Sequence, residues 1–181
     1  MILKMEKRII RDENIMISTL LILGAGGHGR VAAEIAESLG YTVSFLDDKP
    51  GEGVIGSISE LEKFVSEFDA FFIGIGNNAV RHKLQDRLAD LGLTVATLIS
   101  PRAYVSQSVQ VGCGTVIEPG AIVNANVTIG CGCIVSVGGI IDHDSVLEDF
   151  SHVNTGAICM SGAHVTAEQK IEAGEVLHGF Y

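Results

Sequence analysis

The sequence predicts two structural units in series: a small Rossmann-like α/β domain over residues 18–100, then a parallel β-helix over residues 101–181. Three observations carry this. Apolar runs of strand length alternate with helical stretches as far as Ile99, and that alternation builds a parallel sheet with helices on its faces. A glycine-rich turn, Gly24-Ala-Gly-Gly-His-Gly29, follows the first apolar run and opens the first helical stretch. From Val105 to Ile171 every sixth residue is apolar. Helices and plain strands do not need that period; hexapeptide β-helices do.

In the first unit, Leu20–Leu23 is a short buried strand. Val31, Ile35 and Leu39 recur at helical spacing until Gly40 stops the helix. Val43–Leu46 is the next strand. Ser57-Ile-Ser-Glu60 is a capping box ahead of Leu61, Phe64 and Val65. Ala70–Gly74 is again strand-like, Val80–Leu91 is an amphipathic helix closed by Gly92, and Val95–Ile99 is expected to finish the unit. Residues 1–17 carry charges throughout and no small-residue cleavage site, which argues against a signal peptide. They are expected to be a disordered extension, or a spurious one if translation starts at Met16.

In the second unit, the residue four places after each hexad position is mostly small or modest, as at Val109, Thr115, Ala121 and Ala157. Recurring aliphatic residues then stack inward between flat sheets. Gln169 and Glu175 break the pattern. The coil is expected to fray there, or to have lost its last turns.

Composition narrows the function. A formal net charge of -10 leaves no basic patch for a phosphate backbone, so no nucleic-acid partner is expected. No apolar run approaches the ~18 residues of a membrane span, and a cytoplasmic protein is expected. The four cysteines lack zinc-finger or secreted-scaffold spacing and read as structural thiols in a reducing compartment.

The glycine turn fits G-x-G-x-x-G, with Asp47 about twenty residues on. Its glycines permit close backbone approach, and helix N-terminal N–H groups face an anion. His28 is bulky for a turn that must admit a dinucleotide pyrophosphate. The domain is also short for a complete two-halved dinucleotide fold with a nicotinamide site.

Taken together, GAGGHG, LDD and IGIGNN followed by hexads containing IIDHDS and FSHVNTGA resemble one acyltransferase family. It is the sialic-acid O-acetyltransferase and UDP-amino-sugar N-acetyltransferase group, which includes the bacillosamine-pathway enzymes. The resemblance spans residues 19 to about 164. It implies a left-handed β-helix, acetyl-CoA as co-substrate, no metal, and a homotrimer with active sites between neighbouring subunits. It further implies that the glycine turn serves a nucleotide sugar.

By that resemblance, Gly26, Gly27 and His28 contact substrate, Asp47 and Asp48 form a uridine-binding acidic pair, and Gly76 is a further substrate contact. His143, in IIDHDS, is the expected general base, because an attacking amine or hydroxyl must lose a proton and an imidazole titrates near neutrality. Asp144 would orient its ring, standing where the family usually has a glutamate one methylene longer. His152 matches a histidine that meets acetyl-CoA near the thioester. His164 and His82 have no expected role.

Two other classes fit parts of the sequence. A γ-type carbonic anhydrase is also a β-helix, and His143, His152 and His164 supply the count for a zinc site; it would not need the first domain. A sugar-nucleotide-binding module without transfer activity fits the shortened C-terminal coils.

Overall fold

The computed structural model describes residues 18–179. The expected extension over residues 1–17 lies outside them.

Strand β1 (Thr19–Leu23) has its last four residues buried, because helices cover both of its faces. Helix α1 (Gly27–Ser38) crosses to β2 (Thr42–Leu46), which pairs in parallel with β1. A short β3 (Val54–Gly56), not expected from its sequence, adds at the edge with a register shift beside Phe45. The capping box at Ser57 and Glu60 forms, but starts only a 3-10 helix over Ile58–Lys63. Leu61 is its one buried residue, so a longer helix would have no second turn to dock. Then β4 (Ala70–Ile73) pairs with the other side of β1, and α2 (Asn78–Asp90) follows. The sheet order is β3-β2-β1-β4.

The stretch expected to finish this sheet is divided between the two units. Val95 bridges Phe71 of β4, whereas Leu98–Ile99 pairs with Val116–Ile117 and is the first rung of the coil.

That coil is a three-faced prism of parallel two-residue strands, with sheets of five, five and four strands. The first face stacks Leu98–Ile99, Val116–Ile117, Ile134–Val135, His152–Val153 and Lys170–Ile171. The second runs from Tyr104–Val105 to Val176–Leu177, and the third from Gln110–Val111 to His164–Val165. In every rung the second residue points inward: Ile117, Val123, Val135, Ile141 and Val153 are wholly buried. The small residues of the hexad, such as Ala121, Cys133 and Ala157, fill the corners. Pairing stays regular through Val176–Leu177, which corrects the expectation of fraying. Gln169 and Glu175 break the sequence pattern because their carbonyl and carboxylate oxygens accept from the backbone N–H of Thr166 (2.9 Å) and Glu172 (2.7 Å).

The first residue of each rung points outward, and the three faces meet different surroundings. On the first face Leu98, Val116 and Ile134 lie buried in one cluster with Ala32 and Ala36 of α1. Each such burial contributes roughly 1.5–3 kcal/mol, so the α/β domain is seated on the coil. On the second face the outward ladder is Tyr104, Ile122, Ile140, Ile158 and Val176. It is apolar throughout and open, with Tyr104 59% and Val176 44% exposed. The third carries Gln110, Thr128, Val146 and His164.

Candidate active site

The glycine turn separates into two kinds of glycine. Gly24 has φ +106, and a Cβ on Gly29 would stand 2.0 Å from the Gly24 carbonyl oxygen. These two are required by the chain's own packing. Gly26, Gly27 and Gly76 would meet nothing within 4 Å if they carried a Cβ, so the fold itself does not require glycine there. They border open space, as a ligand that approaches the backbone needs. No side chain caps α1 and its first turn holds no acid, which leaves its N–H groups free for an anion.

Asp47 clasps this turn. One carboxylate oxygen accepts from Ala25 N–H at 2.7 Å and the other from Lys49 N–H at 2.8 Å. Those bonds hold its carboxyl below the ordinary value. Asp48 is exposed, and it borders a second concavity lined by Ile58, Ala79, Leu84 and Arg87. Of the acidic pair, Asp48 is the more exposed, with Oδ1 accepting from Ile58 N–H at 3.3 Å.

His28 projects from the turn onto the coil. Its Nδ1 lies 3.4 Å from Oε1 of Glu118, whose Oε2 accepts from Val137 N–H at 2.9 Å. The Nε2 of His28 is buried without a partner.

His152 is the fourth outward residue of the first face, directly above Leu98, Val116 and Ile134. The α/β domain covers the first three and ends there, so His152 stands at the rim of the seam, 9% exposed. Its Nε2 is 3.0 Å from Ser136 Oγ, and its Nδ1 has no partner. Burial, then the positive charges of Arg81, His28 and Lys170, pull its pKa down to about 4. The ring is neutral at physiological pH. If Ser136 donates to Nε2, Nδ1 carries the proton, and that atom is buried without a partner. A cleft of about 570 Å³ opens here between Gly76–Ala79 and His152, Asn154 and Lys170.

His143 lies elsewhere. It occupies the corner between the second and third faces, after Ile140–Ile141, and is exposed. Its Nδ1 is 2.7 Å from Asp144 Oδ2, so the shorter acid does reach the ring. Asp144 sits in the left-handed region at φ 59, and its other oxygen accepts from Asn126 Nδ2 at 3.1 Å. The Asp144 bond, with the charges of Asp142 and Asp144, raises the His143 pKa above its ordinary value. The chain thus builds two half-sites: a His143–Asp144 dyad on one corner, and the His28–Glu118, His152–Ser136 cleft beside another.

The three histidines of the zinc reading fall on a corner, the first face and the third face; His164 pairs instead with Glu148 at 2.7 Å. Among the described residues no group of three metal-ligating side chains forms. Glu118, Ser136 and Asn154 were not singled out from the sequence. Reading the coil in steps of eighteen stacks them on one corner and would have found them. The same step of eighteen from His152 reaches Lys170.

The PglD N-terminal domain family matches residues 19–88. Over 109 residues the chain is 36% identical to UDP-N-acetylbacillosamine N-acetyltransferase of Bacillus subtilis; that match covers 54% of this chain and 50% of that enzyme. The acetyltransferase domain of PglB from Neisseria gonorrhoeae superposes with a TM-score of 0.85 at 35% identity, covering 88% of this chain and 82% of that one. It is also known in complex with acetyl coenzyme A. PerB from Caulobacter crescentus, in complex with CoA and GDP-perosamine, superposes with a TM-score of 0.77 at 29% identity over 91% of this chain and 92% of that one. The chain therefore belongs to the left-handed β-helix sugar acetyltransferases that carry a PglD-type N-terminal domain.

Proposed function

We propose that the protein transfers acetyl from acetyl-CoA to an amino group of a nucleotide-linked sugar, in sites completed between neighbouring copies of a homotrimer. The observation that carries this is the arrangement of the two half-sites. The open apolar second face has the His143 corner along one edge and the Glu118–Ser136–Asn154 corner along the other. Packing that face around a threefold axis covers exposed apolar surface. It also carries His143 of one copy toward the cleft of the next.

In that site the sugar nucleotide lies along Gly26, Gly27 and Gly76, with Asp48 near its base and its amine in the cleft. Asp144 holds the His143 Nδ1 proton, which leaves Nε2 to take the proton of the amine as it attacks the thioester carbonyl. His152, on the wall of the cleft, positions the acetyl group beside the amine. The proton on His143 then passes to the departing CoA sulfur. No enzyme-bound acetyl is needed.

The test is mass spectrometry of acetyl-CoA incubated with UDP- and GDP-linked amino sugars, and with free and CMP-linked sialic acid. An amide product on a nucleotide amino sugar is expected. A protein that binds these sugars and acetylates none of them is instead a binding module. Subunit sharing has its own readout. His143→Ala and His152→Ala proteins, each impaired alone, should regain activity when unfolded together and refolded as mixed trimers. No recovery would place the site within one chain. His152→Ala by itself should raise the KM for acetyl-CoA about tenfold, a binding loss of ~1.4 kcal/mol. The KM for the sugar nucleotide should hardly move.

A further inference from the structure

The tripeptide Gly-Cys-Gly occurs twice, as Gly112–Gly114 and Gly130–Gly132. The copies sit on the same corner of successive coils, between the third and first faces. Gly114 and Gly132 share the left-handed conformation, with φ +71 and +62, and the Gly132 N–H donates to the Cys113 carbonyl at 2.8 Å. The two cysteines therefore have matching backbones displaced by one rung, about 4.8 Å, inside the Cα separation that a disulfide spans. Their Sγ atoms are 3.2 Å apart. Cys113 is exposed and Cys131 half-buried, whereas Cys133 and Cys159 are buried. Nothing in the acetyl-transfer site uses this pair.

We propose that Cys113 and Cys131 are a thiol-oxidation site that closes to a reversible disulfide by exchange with a low-molecular-weight disulfide. The exposed Cys113, as thiolate, attacks one sulfur of the small disulfide; a Cys113 mixed disulfide forms and one small thiolate leaves. Cys131 then gives up its proton and attacks Cys113 Sγ, expelling the second small thiolate. Two protein thiols are oxidised, the small disulfide is reduced to two thiols, and the two protons end on them. The order follows from exposure: burial pushes the Cys131 thiol up to about 12 and keeps it protonated, so the exposed Cys113 is the one that reacts first with the small disulfide. Closing the bond needs the sulfurs to move from 3.2 Å to about 2.05 Å, within reach of side-chain rotation. The staple would tie the first two coils together beside Gln85 of α2, whose Nε2 donates to the Cys113 carbonyl at 3.4 Å.

The experiment uses the whole protein equilibrated with oxidised glutathione, quenched with an alkylating reagent, digested and mapped by mass spectrometry. Free thiols should fall from the four of the sequence to two, with a Cys113–Cys131 cross-linked peptide that dithiothreitol removes. Cys131→Ser should instead retain glutathione on Cys113. If the wild type keeps all its thiols, or holds glutathione on Cys113 without passing to the cross-link, the proposal is overturned.

Discussion

Replacing His143 by alanine is expected to lower kcat by about 10²–10⁴, the usual worth of a positioned general base, with sugar-nucleotide affinity nearly unchanged. The expectation rests on placement: His143 is on the coil corner remote from the glycine turn, so its loss removes proton transfer and leaves the binding surface intact. The pH profile separates this role from a structural one. A base must be neutral to accept a proton, and the Asp144 bond raises the His143 pKa above its ordinary 6.5. Activity should therefore rise with pH and level off above a midpoint higher than 6.5. Asp144→Asn should lower that midpoint, since the Asp144 bond is the largest cause of the shift. The pair is exposed, so added salt should weaken the shift as well. Full turnover by the His143→Ala protein would end the mechanism.

Replacing Arg81 by methionine is expected to destabilise the protein by about 3–5 kcal/mol, a loss legible as a fall in Tm of roughly 6–20 °C. Arg81 is 1% exposed at the seam between the two units. Its guanidinium donates to the Phe150 carbonyl at 2.8 Å and to the Gly132 carbonyl of the coil. It also donates to Asn78 Oδ1 at 2.9 Å and to the Ile75 carbonyl at 3.2 Å in the α/β domain. Methionine fills the volume but leaves the buried Gly132 and Phe150 carbonyls unpaired, and each bond to a charged group is worth about 1.5–3 kcal/mol. Burial already draws the Arg81 pKa down to about 10, yet the group stays charged at physiological pH. Thermal melts of the two proteins decide the matter; equal Tm values would show that Arg81 does not fasten the seam.

Arg81 could not be recognised from sequence alone, and the eighteen-residue spacing puts Glu118 on a corner of the coil without telling what it meets. Arg81 occupies an ordinary helix position among polar neighbours, where a charged residue reads as a solvated face. Glu118 looks like a turn residue between Ile117 and Pro119. Both gain their meaning from partners far along the chain: Arg81 from Gly132 and Phe150, Glu118 from His28. The glycine turn was legible, but which glycines face open space depended on where Gly74 and Ile75 come to lie against Gly24.

By itself the sequence determined the two units, because backbone geometry imprints its own period on the side chains. A residue that must point inward every sixth place is apolar whatever lies beyond the coil, so the hexads from Val105 to Ile171 declare the prism. The strand–helix alternation before them declares the sheet for the same local reason. Only the tertiary structure decided which face the α/β domain covers. That choice buries Leu98, Val116 and Ile134, sets His152 at the rim of the seam, and leaves the Tyr104–Val176 ladder open. Leu98, Val116 and Ile134 are as apolar in sequence as the Tyr104–Val176 ladder, and their different surroundings arise from docking across long stretches of chain, which no local period records.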